Sequence, residues 1–389
     1  MKKQVGQLLG VLVGGMSLGL TSQAQTQTAN QNPLVFSAGL QQLYDSNFMR
    51  SPEEIEEQIT RAGAGVSFKK QFSSQRIAVS INGSQYRYAE FDNLNASAIG
   101  GQASWKSQFT ENTSTLLDWV REETPVDKLE FVGKDLVAKE EANARLSFGD
   151  SKRFGLILGA HQLGNSHSNV ERQDMDFEDQ DLFSEVRYRF ASSSWLGLRY
   201  REGDRTYTEM SPAQDQLDFD YRQMELETAW VVSPKTTLTG LVGYFDRTAK
   251  PGAVSDNDGE GTLASINLEW AITQKFTSEL IYSFNQPAIG ETSDAPSQVG
   301  DTVLRFQWKF SPKIDIGFGA GYSEFDYENN DVIVARTERN ISVTPLQVSW
   351  HYSDAVMLRL TSQWMDRRSP VPERDYEGYS AALALAFHF

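Results

Sequence analysis

The stretch Tyr376–Phe389, YEGYSAALALAFHF, decides the fold. Counting back from the end, one face of an extended chain carries Phe389, Phe387, Leu385, Leu383, Ala381 and Tyr379. The other carries His388, Ala386, Ala384, Ala382 and Ser380. Successive side chains of a strand point to opposite faces, so this segment is a strand with one bulky apolar face and one small, mixed face. A lone strand of this kind has nothing to pair with, so the same pattern must recur elsewhere in the chain.

It does recur, at a fixed period. Short polar turn segments begin at Ser73, Thr110, Gly149, Ser192, Ser233, Thr273, Ser311 and Ser353, spaced by 37, 39, 43, 41, 40, 38 and 42 residues. Each is flanked on both sides by alternation, as in Val186/Tyr188/Phe190 then Leu196/Leu198/Tyr200, or Leu304/Phe306/Trp308/Phe310 then Ile314/Ile316/Phe318. Between the turns lie longer polar stretches: 164–179, 208–216, 249–259 and 288–298. Eight turns join sixteen strands, and Leu34–Tyr44 and Tyr376–Phe389 bring the number to eighteen. Tight turns alternating with long loops are the asymmetry of bacterial transmembrane barrels, with turns periplasmic and loops extracellular. A soluble propeller also repeats near 40 residues, but it packs four short strands into each blade. Here each period holds two strands of about 11–14 residues, long enough to cross a hydrocarbon core at a tilt.

The predicted fold is therefore all-β: a single transmembrane, antiparallel, up-and-down β-barrel of about 18 strands. Composition agrees. The 389 residues hold 22 Phe, 14 Tyr and 8 Trp, yet only 39% are hydrophobic, and no apolar run after the N-terminus could form a spanning helix. The absence of Cys excludes a disulfide framework or a thiolate site, and four His leave little for a metal centre. No cofactor and no metal are expected. A net charge of −16 argues against a nucleic-acid partner, because phosphate binding needs a basic footprint. At the N-terminus, Lys2 and Lys3 precede the apolar run Leu8–Leu20, and Ser22-Gln23-Ala24 forms a small-x-small cleavage site. Residues 1–24 read as a signal peptide, 25–33 as a disordered periplasmic lead-in and 34–389 as the barrel, in the outer membrane. The Phe-ended last strand resembles the C-terminal signal read by the barrel-assembly machinery, with Tyr379, Phe387 and Phe389 as its residues.

Parity then sorts the charges. If Val186, Tyr188 and Phe190 face lipid, Arg187 and Arg189 face inward. The same reading sends Lys69, Arg76, Lys106, Arg145, Arg199, Arg201, Arg305, Lys309 and Arg359 to the lumen, beside Glu141, Glu185, Glu279 and Asp315. A Lys or Arg on the lipid face at mid-bilayer costs about 2–4 kcal/mol, which forces the inward placement. Two readings stay open: a basic path that attracts an anionic or hydroxyl-rich solute, or a salt-bridged wall without selectivity. The eight Trp fall near strand ends and suit interfacial girdles, with carbohydrate-stacking platforms as the alternative. The acidic stretches Glu171–Asp181 and Ser255–Glu260 lack the fixed ligand spacing of a calcium loop. They read as a solvated outer face, able to bridge to lipopolysaccharide through divalent cations. His161, His167, His351 and His388 sit in unrelated segments with no nucleophile motif, so no enzyme activity is expected.

One segment carries a family likeness. Tyr44-Asp45-Ser46-Asn47-Phe48-Met49-Arg50, just after the first strand, resembles the first loop of EpsL-like exopolysaccharide-export outer-membrane proteins, within the β-barrel porin group. The specific matches are Asp45, Asn47, Phe48 and Arg50; the rest of the chain is similar in architecture only. The resemblance implies a channel that exports a secreted polysaccharide, with the polymer and periplasmic export components as partners. From the residues alone, Asp45 and Asn47 suit a tight turn, and the motif reads either as a strand anchor or as a polymer gate. Ser51 followed by Pro52 and Glu54 reads as a capping box, predicting a short helix over 51–58. Beside export stand two other readings: a general or substrate-selective porin importing small solutes, and a plugged structural barrel.

Overall fold

The computed structural model describes residues 33–149, 152–208, 217–252, 257–288, 291, 296–328 and 335–389. The segment expected to be a signal peptide, and nearly all of the expected lead-in, lie outside the described residues. Eighteen strands of ten to sixteen residues follow one another, with three short 3-10 turns among the described loops. In chain order the strands are β1 (Leu34–Asp45), β2 (Glu57–Phe72), β3 (Gln75–Tyr88), β4 (Ala96–Thr110), β5 (Thr113–Pro125) and β6 (Leu136–Phe148). Next come β7 (Phe154–His167), β8 (Phe177–Arg189), β9 (Trp195–Tyr207), β10 (Phe219–Ser233), β11 (Thr236–Ala249) and β12 (Gly259–Trp270). The last six are β13 (Phe276–Asn285), β14 (Gln298–Ser311), β15 (Ile314–Tyr327), β16 (Arg336–His351), β17 (Val356–Arg368) and β18 (Tyr376–His388).

Each strand pairs antiparallel with its neighbour in sequence, and β1 pairs with β18 from Ser37↔His388 to Asp45↔Ser380. The sheet is closed. Closure is what lipid demands, since an unpaired backbone edge in hydrocarbon has no water to satisfy it. The outward face of every strand is a row of large apolar side chains, including Leu182, Val186, Leu198, Met224, Val242 and Leu383. Tyr379 and Phe387 stand on this face too, and Phe389 exchanges backbone hydrogen bonds with Phe36 across the seam. Seven Trp lie on the outward face, where girdles belong. Trp195 does not: it pairs with Arg189 on the inner face, and its ring stacks under the Arg187 guanidinium at 3.6 Å.

β16 departs from strict alternation. Its register shifts by one residue around Pro345, between Val343 and Leu346. Proline has no N–H to give to a ladder, so a bulge is where a spanning strand can carry one. The inner face therefore changes parity along β16, from Ser342 and Thr344 to Gln347 and Ser349.

The first long loop corrects one expectation. Residues 51–56 form no helix, and β2 starts at Glu57 opposite Asp45. The Ser51 hydroxyl donates to the Glu53 carbonyl instead of capping an amide, and the fully buried Glu57 carboxylate accepts the amides of Ala89, Glu90 and Phe91. Tertiary capping of the next loop outweighs a one-turn helix. The Asp45–Arg50 motif closes on itself. Arg50 stands at φ 54 and binds both Asp45 oxygens at 2.9 and 2.8 Å, while the Asn47 amide N–H donates to Asp45 Oδ1 at 3.1 Å. The motif then grips β18. Ser46 N–H donates to the Tyr379 carbonyl at 2.9 Å, Tyr379 N–H donates to Ser46 Oγ at 2.9 Å, and Asn47 Nδ2 donates to the Glu377 carbonyl at 2.9 Å. Phe48 packs on Tyr88 and Leu94 beneath. This clasp extends the β1–β18 seam beyond its last strand pair.

Removing one member of a buried ion pair strands the other charge. Arg50→Ala is expected to destabilise the barrel by about 3 kcal/mol. The temperature at which the unboiled folded band converts to the unfolded band in SDS gels should fall accordingly. An unchanged conversion temperature would show that the clasp contributes nothing.

Candidate functional site

Cross-strand partners share a face, so the register carries the inner side from strand to strand. One inner row runs Lys69–Ala78–Ser104–Asp118–Asn143–His161–Asp181–Gly203–Tyr221–Arg247. The row beside it runs Arg76–Lys106–Leu116–Arg145–Gly159–Phe183–Arg201. Arg187, Arg189, Arg199, Arg305, Lys309 and Arg359 lie on the same face, opposite Gly197, Trp195, Glu185, Glu279, Asp315 and Ser349 respectively. The eleven cations share a face but not a role.

On β8 and β9, Arg187, Arg199, Arg201 and Arg205 are spent on carboxylates. Arg199 binds Glu185 at 3.0 Å, Glu225 at 3.1 Å and Glu227 at 2.6 Å, all of them buried. Arg187 binds Glu185 at 2.6 Å, and Arg201 binds Asp181 at 2.6 Å. Arg205 gives Nε and Nη2 to Asp179 at 3.0 and 2.9 Å, and the Tyr221 hydroxyl donates to the other Asp179 oxygen at 2.7 Å. Aromatic rings fill the gaps: the Phe183 ring has Arg199 at 4.9 Å, Arg201 at 5.6 Å and Arg145 at 5.8 Å. Arg189 faces the turn instead, donating to the Gly149 carbonyl at 2.8 Å. This is a packed, charge-compensated wall.

Two acids here were expected on a solvated outer face. Asp179 and Asp181 belong to β8, which begins at Phe177, so alternation turns them inward. They meet His161 within 4.8 Å, the one group among the described residues with donors spaced to hold a metal ion. Arg201 and Arg205 already occupy those carboxylates, and two fixed guanidiniums repel a divalent cation. Sequence parity would have placed Arg205, Arg247 and His161 inward as readily as Arg199. What it lacked was the register that sets them beside Asp179 and Asp181.

The wall from β17 through β18 and β1 to β4 is different. Much of its inner face is small, with Ala382, Ala384 and Ala386 on β18, Ser37 and Gly39 on β1, Gly63 and Gly65 on β2, and the larger Gln41, Arg61 and Tyr86 toward the long-loop end. Long cations rise from this low surface. Arg76 and Lys106 stand directly opposite each other, and neither makes an ion pair among the described residues. Like charges directly opposite are destabilising, so such a pair points to a requirement other than stability. Nearby, Arg145 makes no ion pair among the described residues, and its Nε has no hydrogen-bond partner. Arg359 makes no ion pair among the described residues, donating to the Ser349 hydroxyl at 3.1 Å and to Met357 Sδ at 3.8 Å. Arg305 lies 3.8 Å from Glu279.

A hollow of about 1110 Å³ lies against β3–β11. Most of its lining has the lipid-facing parity, including Ile77, Val79, Leu117, Trp119 and Leu182, with Asp118, His161, Asp181 and Tyr221 of the inner row also bordering it.

The crystal structure of the outer membrane protein OpdK from Pseudomonas aeruginosa superposes with TM-score 0.50 at 11% identity, covering 92% of this chain and 98% of that one. OccK9 (OpdG) from the same organism gives 0.50 at 12%, with the same coverage. OpdK solved with vanillate gives 0.50 at 10%, again covering 92% and 98%. The fold is that of an outer-membrane porin. No protein-family model matches the chain, and no curated protein matches it. The likeness of the Asp45–Arg50 segment to EpsL-like exporters thus has no counterpart among these matches. The chain has the fold of an outer-membrane β-barrel.

Arg199 is the hub of the compensated wall, and its loss leaves Glu185, Glu225 and Glu227 facing one another. Arg199→Met is expected to cost about 3–5 kcal/mol, read as a large drop in thermal stability in detergent. The triple change with Glu185→Gln, Glu225→Gln and Glu227→Gln added should recover part of it. If the quadruple variant is no better than Arg199→Met, the carboxylates are not what Arg199 restrains.

Proposed function

We propose that this barrel is a substrate-selective channel through which small hydrophilic anions, carboxylates among them, diffuse passively across the outer membrane. The observation that carries this reading is the Arg76–Lys106 pair, two like charges opposed without a carboxylate on a wall of small residues. Fixed charges act across a pore within a Debye length, about 8 Å at physiological salt, so uncompensated cations set the local field while paired ones largely cancel. Arg76, Lys106, Arg145 and Arg359 are the residues given the solute-attracting role; Arg187, Arg199 and Arg201 belong to the scaffold. OpdK solved with vanillate, an aromatic carboxylate, supports an anionic substrate for a barrel of this shape.

Export of a polysaccharide rested on Asp45, Asn47, Phe48 and Arg50. Their polar atoms are committed to one another and to β18, and Phe48 is buried, which leaves them no face for a polymer. The import reading is therefore preferred, and no catalytic role is proposed. Lipopolysaccharide and lipid surround the outer belt, and the outward Tyr379, Phe387 and Phe389 are proposed as the handle for the barrel-assembly machinery.

The test is permselectivity in planar bilayers under a KCl gradient. The wild-type channel is expected to favour chloride, and the double variant Arg76→Glu/Lys106→Glu should move the reversal potential toward cation preference. An unchanged reversal potential would remove this pair from the permeation path. In cells, deletion should slow growth on small organic acids while secreted polymer stays normal; the opposite phenotype would restore export.

A further inference from the structure

At the long-loop end of β9–β11, two arginines flank one aromatic ring. Arg205 and Arg247 lie 5.5 and 5.4 Å from the Phe219 centroid, with Phe177 4.1 Å from Arg205 and Phe245 4.2 Å from Arg247. The fixed neighbours hold only part of this donor set. Asp179 takes Nε and Nη2 of Arg205, leaving the Nη1 edge, and Arg247 gives Nη2 to the Gln286 carbonyl at 2.7 Å. Arg247 has no carboxylate hydrogen bond among the described residues. A planar cation stacked on rings with donors to spare is a receptor for a carboxylate.

That position is filled from within. Glu291, in the connection between β13 and β14, places Oε2 3.2 Å from Arg205 Nη1 and accepts the Ala288 amide at 3.2 Å. Ala288 is buried against Phe177, Tyr207 and Phe219, which fixes the chain just before it. Burial would raise the Glu291 carboxyl, but Arg205, the Ala288 amide and Arg247 outweigh it and hold the group below its ordinary range, ionised at neutral pH.

We infer that Arg205, Arg247 and Phe219 form a carboxylate-binding site at the outer mouth, and that Glu291 is its resident internal ligand, displaced when a solute carboxylate arrives. The inference rests on the channel reading above and names a site within it. Charge balance is the reason for the exchange. Two arginines face one permanent anion, Asp179, so a second carboxylate is always needed. Swapping Glu291 for a solute leaves the cradle's charge unchanged, whereas an empty cradle would leave a stacked cation uncompensated. The aromatic walls favour solutes that carry a ring or apolar body beside the carboxylate. An internal ligand acts as a competitor at an effective concentration on the order of millimolar, so it weakens solute binding and speeds release, as a conducting channel requires.

The experiment is calorimetric titration of the purified full-length barrel in detergent with benzoate, and with benzamide as the neutral isostere. Glu291→Gln keeps the shape and removes the charge. It is expected to bind benzoate about tenfold more tightly than wild type, with no gain for benzamide. Adding Arg247→Gln, which leaves the Arg205–Asp179 pair intact, should abolish the gain. Equal benzoate affinity in wild type and Glu291→Gln would overturn the inference, making Glu291 a strut of the loop. So would a gain that survives Arg247→Gln or that benzamide shares. Bilayer conductance separates the two readings. A conducting barrel without the benzoate gain defeats only this site, and a non-conducting barrel that shows it defeats only the channel.

Discussion

Backbone hydrogen bonding inside lipid governs everything else in this molecule. A peptide N–H without a partner in hydrocarbon costs several kcal/mol, so the sheet has to be closed and every spanning residue has to sit in a ladder. Closure makes β1 and β18 neighbours, although about 330 residues of chain separate Asn47 from Glu377. Loop closure over that length costs entropy that local contacts cannot return, which is why the seam carries extra bonds at its rim. Ser46, Asn47 and the buried Asp45–Arg50 pair supply them on one side of β18. On the other side, Glu338 holds Arg336, Arg367 and Arg374 around one fully buried carboxylate, joining β16, β17 and the last loop.

With lipid outside, charge can only go inward, and the barrel distributes it unevenly. The β7–β11 wall is thick with Arg, Glu and Phe, and Arg187, Arg199, Arg201 and Arg205 on it are each stacked on a ring and paired with a carboxylate. The wall from β17 to β4 is thinner, because alanine, glycine and serine line much of it, and Arg76 and Lys106 stand there with no carboxylate partner among the described residues. A solute meets a smooth charged surface on one side and a neutral buttress on the other. Counting lumen arginines would miss this, because a paired arginine and an unpaired one contribute opposite things to a pore.

The fold was legible because lipid enforces a strict period of two, and turns every 40 residues or so mark the hairpins. Parity alone set Arg187, Arg199 and Lys309 on the inner face. It could not say which cations had partners, since Arg199 meets Glu225 only through the register of β9 against β10. The stretch Glu171–Asp181 looked like one acidic loop because composition carries no boundary; Phe177 starts β8 within it and divides the exposed acids from the lumenal ones. Ser51-Pro52 carried the local signature of a helix start, and the buried capping role of Glu57 overrode it. Glu291 had no signal, being one of two acids in a polar stretch, and it meets Arg205 from 86 residues away.

The bulge at Pro345 has a consequence for how this gene can drift. In a spanning strand, losing or gaining one residue inverts the sidedness of everything beyond the lesion, presenting polar groups to hydrocarbon. β16 already carries one surplus residue where its two halves have opposite parity. Deleting Pro345 would restore unbroken alternation and leave both halves facing as they do now. Single-codon deletions, ruinous within the regular ladders, are therefore absorbable at this point.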